Sequence, residues 1–232
     1  MKIEVLDDPD AVASRAATLV AEHARAAVEE RGRFTFAVSG GHTPWVMLRA
    51  LAGEQVPWNQ VHVLQVDERI APADSDERNV KHLRESLLSH VPLPPANLHA
   101  MPVEADDLPA AARQYAQTLE SLAGSPPALD LIHLGLGPDG HTASLVPGDA
   151  VLEVTDVWVA LTAGLYQGWR RMTLTYPVLD QARAVLWLVA GAEKVDALTR
   201  LKQKDRTIPA GRVRQEAAVV VADRAAAAGL GD

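Results

Sequence analysis

The apolar positions of this chain fall into two patterns along its length. Short apolar runs bounded by Gly, Pro or charged residues are typical of buried strands, and longer segments with an apolar residue every three or four positions are typical of helices. The longest helical segment, residues 10–30, starts after Asp8-Pro9 and stops at Gly32, which are usual residues for the two ends of a helix. The two patterns alternate through the whole chain.

We place the predicted strands at residues 3–6, 34–38, 61–66, 98–101, 129–134, 157–161, 172–175, 184–190 and 217–222. We place the predicted helices at residues 10–30, 43–51, 78–88, 108–122 and 193–201, with a short helix from Pro177 and a fraying helix at residues 225–228. Strands that alternate with helices predict an α/β fold, with a doubly wound, mostly parallel sheet flanked by helices, of a modified Rossmann-like type. No linker divides the chain, so we expect a single domain over residues 1–232.

Composition narrows the chemistry that this chain can perform. It has 232 residues, of which 48% are hydrophobic and none is Cys, so disulfides, thiolate metal sites and a Cys nucleophile are excluded. The formal net charge of -8 argues against binding to nucleic acid or to anionic membranes, which require a broad basic face. No window approaches the roughly 18 apolar residues of a membrane span, and we expect a cytoplasmic protein. An anionic small substrate would need a locally positive pocket.

A glycine-rich turn after the predicted strand at residues 129–134 carries the most informative polar groups. This turn presents Asp139 and His141, one on each side of Gly140. In open α/β sheets, ligands bind at the carboxyl ends of the strands, which is where this turn lies. A carboxylate so close to an imidazole can orient it and stabilise its charged form, as a general base requires. We therefore predict a catalytic turn that holds Asp139 and His141.

A second polar turn follows the predicted strand at residues 34–38 and opens a helix. The turn reads Ser39-Gly40-Gly41-His42-Thr43-Pro44. Its bare backbone N–H groups and the helix N-terminus form a natural phosphate cradle, with the hydroxyls of Ser39 and Thr43 as further donors. The alternative is a tight strand-to-helix turn in which Thr43 is the N-cap and Pro44 is the first helical residue. No Lys follows the glycines, so a nucleotide-binding P-loop is not expected.

Charged residues lie next to three further strands. Asp67-Glu68-Arg69 follows the strand at residues 61–66, Arg171 precedes the strand at residues 172–175, and Lys194 follows the strand at residues 184–190. Arg69 could face a phosphate or a developing oxyanion, and Asp67 or Glu68 could hold Arg69 or act on substrate hydroxyls. Lys194, at a strand-to-helix turn, suits a phosphate-binding cation. The alternative for each of these residues is a solvated surface charge.

No arrangement in the sequence favours a metal site or a serine hydrolase. There is no His-x-x-x-His pair and no cluster of three ligands, so we predict no bound metal. No Gly-x-Ser-x-Gly segment surrounds any Ser. His62 and His133 lie in predicted strands and are expected to be buried and neutral, whereas the role of His42 beside the glycine turn stays open.

Five segments together resemble the 6-phosphogluconolactonase family, a branch of a larger group that includes glucosamine-6-phosphate deaminases. The match runs over nearly the whole chain and follows the order of the family's motifs. The segments are Ser39-Gly-Gly-His-Thr-Pro, Asp67-Glu-Arg followed by Asn79, Gly135-Leu-Gly-Pro-Asp-Gly-His-Thr-Ala-Ser-Leu, Arg171-Met-Thr-Leu-Thr and Gly191-Ala-Glu-Lys.

The resemblance implies a cofactor-free hydrolase that opens 6-phospho-D-glucono-1,5-lactone to 6-phospho-D-gluconate, the second step of the oxidative pentose phosphate pathway. It implies that His141 acts as a base toward water with Asp139 in support, and that Arg69 lies near the reacting lactone. It places the substrate- and phosphate-binding groups at Ser39, Gly40, Gly41, Thr43, Asp67, Arg171 and Lys194. The implied partner is a small phosphorylated sugar lactone, and the sequence identifies no protein partner.

Three places in the chain depart from the family's pattern. Arg78 stands where Ser is usual before Asn79, and Val146 stands where Phe is usual. The segment before Arg171 is less Pro-rich than usual. Either Arg170 or Arg171 could therefore be the phosphate ligand.

Two other functions fit parts of the pattern. A glucosamine-6-phosphate deaminase or a sugar-phosphate isomerase would share the fold and the phosphate site. Such deaminases carry an acidic residue a few positions beyond the His, and residues 142–147 contain none. A non-catalytic sugar-phosphate sensor would need a DNA-binding helix-turn-helix module, for which there is no room before Phe34.

Overall fold

A seven-stranded parallel sheet lies at the centre of the structure, a computed structural model that describes residues 1–231. Within these residues the strands are β1 Lys2–Leu6, β2 Phe34–Val38, β3 Val61–Gln65, β4 Asp67–Arg69, β5 Leu98–His99, β6 Leu131–Gly135, β7 Val159–Leu161, β8 Arg171–Leu174, β9 Val185–Val189 and β10 Ala218–Asp223. The α-helices are α1 Pro9–Arg31, α2 His42–Leu51, α3 Asn79–Ser86, α4 Leu108–Ala123, α5 Tyr176–Gln181, α6 Val195–Lys202, α7 Pro209–Arg212 and α8 Arg224–Ala227. The predicted α/β class, with a doubly wound and mostly parallel sheet, is confirmed.

The order of the strands across this sheet is β1-β10-β9-β6-β2-β3-β5. From β2 the chain continues to β3 and β5 on one side, and it then returns to β6, β9 and β10 on the other side. The topological switch point therefore lies between β2 and β6, which pair in parallel with Phe36 opposite Leu131. Ligands of doubly wound proteins bind outside the carboxyl ends of the strands at such a point. The segments that follow Val38 and Gly135 are thus the expected place for a site.

An apolar core covers each face of the sheet. Each strand contributes to both cores because successive strand residues point to opposite faces. Phe36 and Val63 pack into the apolar core that contains α1 and α2. Their neighbours Ala37 and Leu64 pack into the other core, which contains Tyr115 of α4. The inner strands β2 and β9 are buried along their whole length, as their continuous apolar runs predict, whereas the edge strand β1 is partly exposed.

The predicted ends of the long helix α1 are confirmed. Asp8 Oδ1 accepts a hydrogen bond from the N–H of Ala11 at 2.8 Å, and Pro9 is the first helical residue. Gly32 ends the helix with a φ of 74°, and its N–H donates to the carbonyl of Val28 at 2.8 Å. These local capping groups set the length of α1.

A second sheet, with three antiparallel strands in the order β4-β8-β7, lies in the same chain. In it Arg69 pairs with Arg171, and Ala160 pairs with Thr173. The prediction that the strands at residues 157–161 and 172–175 belong to one mostly parallel sheet is therefore wrong. The apolar pattern predicts that a strand exists, but contacts that are distant in sequence decide which strand it pairs with.

Val66 joins the two sheets and shortens the strand predicted at residues 61–66. Its N–H donates to the carbonyl of Val38 in the central sheet at 3.1 Å. Its carbonyl accepts from the N–H of Leu174 in the second sheet at 2.8 Å. β3 therefore ends at Gln65, and β4 begins at Asp67 with partners in the other sheet.

Two expectations concern the chain as a whole. Among residues 1–231, no helix combines the length and the apolar character needed to cross a bilayer. The expected single domain over residues 1–232 includes Asp232, which lies outside the described residues, and it stays a prediction.

Candidate active site

A cavity of about 350 Å³ opens where β2 and β6 end, at the topological switch point. The predicted site residues in its wall are Ser39, Gly40, Gly41, Thr43, Asp67, Arg69, His141, Arg171 and Lys194. Asp139 is the remaining predicted site residue, and it contacts His141 without being part of the wall. The fold thus brings residues from five separate segments of the sequence to one place.

The Ser39–Thr43 turn leads directly from β2 into α2. Helix α2 begins at His42 with Gly41 as its N-cap, and no side chain caps it. The alternative in which Thr43 is the N-cap is therefore wrong, because the helix starts earlier than the sequence signal suggests. Gly41 has a φ of 122°, a conformation that favours glycine. The uncapped N–H groups of α2 remain free to face an anion in the cavity.

Ser39 holds the turn to strand β6 rather than offering its hydroxyl to the cavity. Its Oγ donates to the carbonyl of His133 at 3.1 Å, and its main-chain N–H donates to Nδ1 of His133 at 3.3 Å. His133 is fully buried, and burial lowers the pKa of its imidazole to about 3. The expectation of a buried, neutral His133 agrees with this environment.

Asp139 and His141 form the predicted carboxylate–imidazole pair. Nδ1 of His141 lies 2.6 Å from Oδ1 of Asp139, which also accepts from the main-chain N–H of His141 at 3.1 Å. The hydrogen bond from His141 lowers the pKa of Asp139 to about 2. Because Nδ1 is engaged by the carboxylate, Nε2 is the ring nitrogen available for proton transfer.

Gly137 makes this pair possible. A Cβ at Gly137 would lie 2.0 Å from Nδ1 of His141 and 2.6 Å from Oδ1 of Asp139. Any side chain at residue 137 would therefore occupy the space of the hydrogen bond itself.

Arg69 is held by groups at the start of α3. Its Nη1 donates to Oδ1 of Asn79 at 3.0 Å and to the carbonyl of Glu77 at 2.9 Å. Asn79 in turn donates to the carbonyl of Asp67 at 3.0 Å and packs against Gly40, where a Cβ would lie 1.9 Å from Oδ1 of Asn79. Asn79 thus connects Arg69 to the Ser39–Thr43 turn.

The two carboxylates beside Arg69 have different surroundings. Glu68 is fully buried and accepts from the N–H groups of Asn79 and Val80, so it caps α3 and does not reach the cavity. Asp67 accepts from Oγ of Ser144 at 2.6 Å and lies 3.8 Å from Nη1 of Arg171. Within the described residues, neither carboxylate pairs with the guanidinium of Arg69.

Asp67 is deeply buried beside the cavity. Burial raises the pKa of Asp67 above its usual value, and the hydrogen bond from Ser144 and the charge of Arg171 oppose this rise. Asp67 is therefore placed to hold Arg171 and Ser144 in position.

Of the two neighbouring arginines, Arg171 lies in the cavity wall and Arg170 does not. Arg171 is 4% exposed and lines the cavity, whereas Arg170 is exposed and donates from Nε to the carbonyl of Thr162 at 3.2 Å. Arg171 opens an antiparallel strand of the second sheet, so it does not reach the site through the carboxyl end of a parallel strand.

Lys194 lies in the turn between β9 and α6. Gly191 begins this turn with a φ of 102°, and its N–H donates to the carboxylate of Asp223 at 3.1 Å. Glu193 and Lys194 both line the cavity. The cavity of this acidic chain therefore carries the cations Arg69, Arg171 and Lys194 beside only a few carboxylates.

Sequence reasoning missed Tyr166 and Gln167, which also line the cavity. They lie in a hairpin that has no charged residue before Arg170, so no local chemical signal marks them. Asn79 is part of a family motif, but nothing in the sequence assigns it a contact. His42 also lines the cavity.

The described residues contain no group of three or more His, Cys, Asp or Glu side chains that could hold a metal ion. The groups of the cavity are an imidazole paired with a carboxylate, several cations and free main-chain N–H groups. Such a set suits proton transfer to or from a small anionic molecule.

The chain matches the model of the glucosamine-6-phosphate isomerases/6-phosphogluconolactonase family over residues 7–222. It belongs to this family. The family membership predicted from the five motifs is thereby confirmed.

Several similar proteins are named 6-phosphogluconolactonase. A 6-phosphogluconolactonase from a Nostoc species is 38% identical over 203 residues, which cover 86% of this chain and 84% of the relative. One from Mycobacterium tuberculosis is 37% identical over 241 aligned positions, which cover 98% of each chain. The crystal structure of 6-phosphogluconolactonase from Thermotoga maritima has a TM-score of 0.86 at 30% identity, and the match covers 96% of this chain and 98% of that chain.

Proposed function

We propose that this member of the family hydrolyses 6-phospho-D-glucono-1,5-lactone to 6-phospho-D-gluconate, the second step of the oxidative pentose phosphate pathway. The observation that carries the proposal is the Asp139–His141 pair in contact with a cavity that also holds three cationic side chains. The names of the similar proteins from Nostoc, Mycobacterium tuberculosis and Thermotoga maritima support the same activity.

In this mechanism His141 activates water. Nε2 of His141 removes a proton while the water oxygen attacks C1 of the lactone, and Asp139 stabilises the imidazolium that forms. The tetrahedral intermediate then collapses, the bond between C1 and the ring oxygen breaks, and the imidazolium returns its proton to that oxygen. The new carboxylic acid loses a proton to solvent. General-base assistance of this kind contributes roughly 10²- to 10⁴-fold in rate.

The cations divide between the two ends of the substrate. Arg69 is fixed by Asn79 and suits the carbonyl oxygen, where negative charge develops during attack. Arg171, Lys194 and the free N–H groups at the start of α2 suit the phosphate dianion. Binding energy from the phosphate then aligns the carbonyl with His141, which is how a remote group contributes to the chemical step.

The deaminase or isomerase alternative lacks a group that it needs. Transfer of a proton to a leaving amine calls for an acidic side chain just beyond the His, and residues 142–147 are Thr-Ala-Ser-Leu-Val-Pro. A lactone, by contrast, is a reactive ester whose hydrolysis requires only a positioned water, a base and a donor to the carbonyl oxygen.

The cytoplasmic location stays a prediction.

The test is an assay with freshly generated 6-phosphogluconolactone beside glucosamine 6-phosphate. Lactone hydrolysis is followed by the release of acid, and the spontaneous rate in the absence of protein is subtracted. We expect hydrolysis of the lactone well above that rate and no release of ammonia from the amino sugar. Ammonia release without lactone hydrolysis would overturn the proposal.

A further inference from the structure

The hairpin that separates β7 from β8 is a fixed part of the cavity wall. The N–H of Thr162 donates to the carbonyl of Arg171 at 2.9 Å, and Tyr166 and Trp169 bond to each other through their main chains. Gln167 and Gly168, at the tip, have φ values of 51° and 84°, as a two-residue hairpin turn with the right twist requires.

Asp149 anchors the first arm of this hairpin. Its Oδ1 accepts from the N–H of Ala163 at 3.1 Å, and its Oδ2 accepts from the N–H of Gly164 at 2.9 Å. The backbone before Tyr166 is therefore tied to another segment of the chain, and the position of Tyr166 is set by more than the hairpin alone.

The hydroxyl of Tyr166 contacts both members of the proposed base pair. It lies 3.4 Å from Oδ2 of Asp139, the carboxylate oxygen that His141 does not use, and 3.3 Å from Nδ1 of His141. The Tyr166 and His141 rings meet edge to face with centroids 5.1 Å apart. These hydrogen bonds are long, as is common in catalytic sites before the substrate binds.

The ring and main chain of Tyr166 contact Arg171. The guanidinium carbon lies 5.1 Å from the centre of the Tyr166 ring, within the range of a cation–π interaction. Nη2 of Arg171 donates to the carbonyl of Tyr166 at 3.2 Å and to Oε1 of Gln167 at 3.4 Å. One residue thus contacts the proposed base pair and the proposed phosphate ligand.

We propose that Tyr166 is a positioning residue, whose hydroxyl orients the Asp139 carboxylate toward His141 and whose ring holds Arg171 at the phosphate end of the cavity. This inference rests on the proposed lactonase function and adds a residue to it. Tyr166 links the chemical step to substrate binding, because the two groups that it contacts serve different ends of the same molecule.

The charged and titratable groups that face Tyr166 are Asp139, His141 and Arg171. Burial raises the pKa of the Tyr166 phenol above its usual value, and the charge of Asp139 adds to this rise. The phenol therefore keeps its proton at neutral pH and donates to Oδ2 of Asp139. This donation fixes the direction in which Oδ1 faces Nδ1 of His141, so loss of the hydroxyl should leave the imidazole less firmly oriented and lower kcat. It also draws some negative charge away from Oδ1, so loss of the hydroxyl should make protonation of His141 slightly easier.

Two substitutions separate the hydroxyl from the ring. Tyr166→Phe removes the donor to Asp139 and keeps an aromatic face for Arg171. We expect kcat to fall about two- to tenfold with KM nearly unchanged, and the acid limb of the pH–rate profile to move up by roughly half a pH unit. Tyr166→Leu removes the face as well, and we expect KM for the phosphorylated lactone to rise about three- to tenfold in addition.

Leu165→Ala is the matched control. Leu165 precedes Tyr166 in the same hairpin and is 70% exposed, so its truncation should leave kcat, KM and the acid limb unchanged. If Tyr166→Phe leaves both kcat and the acid limb at their native values, or moves the limb to lower pH, the role of the hydroxyl is wrong. If Tyr166→Leu leaves KM unchanged, the role of the ring is wrong.

A measurement without substrate keeps this test separate from the proposed function. The ring nitrogens of His141 are followed by NMR as the pH is changed, with the signals assigned by their loss in His141→Asn. In Tyr166→Phe the midpoint of this titration should move up by about the same half unit as the acid limb. If the native protein has no lactonase activity, the proposed function is wrong. If the titration midpoint of His141 is the same in Tyr166→Phe and in the native protein, the proposed role of Tyr166 is wrong.

Discussion

The main-chain N–H of Ser39 donates to Nδ1 of His133 across the β2–β6 switch point, over 3.3 Å. Only a neutral imidazole can accept this bond, and burial lowers the pKa of His133 to about 3. In the unfolded chain a His has a pKa of about 6.5. The contribution of neutral His133 to the free energy of unfolding is therefore fully present above about pH 6.5. It is lost progressively as the pH falls toward 3, because His133 takes up a proton in the unfolded chain at a higher pH than in the folded protein.

His133→Asn tests this relationship, because the amide oxygen of Asn can accept from Ser39 without titrating. The slope of unfolding free energy against pH between about 6 and 4 should be smaller in this variant than in the native protein, by at most about 1.4 kcal/mol per pH unit. Urea unfolding at several pH values measures the slope. Equal slopes in the two proteins would mean that His133 is not the group that takes up the proton.

Removal of the proposed base should slow catalysis without harming the fold. Because Nε2 of His141 is the available proton acceptor, we expect His141→Asn to lower kcat by roughly 10²-fold or more while affinity for the product 6-phosphogluconate stays near native. Asp139→Asn should also be slow, since the neutral amide stabilises the imidazolium less. Initial rates and calorimetric titration with the product measure the two quantities. Near-native kcat in His141→Asn would contradict the mechanism.

The pH dependence should report the imidazole and not the carboxylate. The hydrogen bond from His141 lowers the pKa of Asp139 to about 2, so Asp139 stays ionised wherever the protein is assayed. Activity should therefore fall on the acid side as His141 takes up a proton. Asp139→Asn removes the neighbouring anion and should move this limb to lower pH, opposite to the shift expected for Tyr166→Phe. Profiles of kcat/KM against pH for the native protein, Asp139→Asn and Tyr166→Phe show in which direction the acid limb moves in each variant.

Loss of a phosphate ligand should depend on the phosphate of the substrate. Arg171→Ala and Lys194→Ala each remove a charge-assisted contact, and we expect weaker binding of the phosphorylated lactone by roughly tenfold to a hundredfold. With unphosphorylated gluconolactone, these variants should have the same rate of hydrolysis as the native protein. Arg170→Ala is the matched control, because Arg170 is exposed and lies outside the cavity wall. Equal losses with both lactones would place the phosphate elsewhere.

Those parts of the fold and site that depend on local sequence could be predicted. The caps of α1, the strand before the Asp139–His141 turn and the spacing of these two residues are all encoded within a few positions. The meeting of these segments also follows, because the carboxyl ends of parallel strands share one edge of the sheet.

The parts that depend on distant contacts could not be predicted. β4 and β8 are far apart in sequence but pair in the structure, with Arg69 opposite Arg171. No local sequence pattern predicts that these two strands are antiparallel partners. Asp67 and Glu68 look alike in the sequence, yet one borders the cavity and the other caps α3. Nothing in the sequence around Tyr166 indicates that the hairpin places its hydroxyl beside Asp139.

The position of β10 between β1 and β9 has a consequence for synthesis on the ribosome. β1 emerges first, but its neighbour emerges only after residues 7–217, on the order of 10–40 s later at about 5–20 residues per second. Until then the facing edges of β1 and β9 have no partner from β10. Asp223, at the end of β10, holds the turn of Lys194 through Gly191. A nascent chain can therefore complete the proposed phosphate pocket only when this late strand has been inserted.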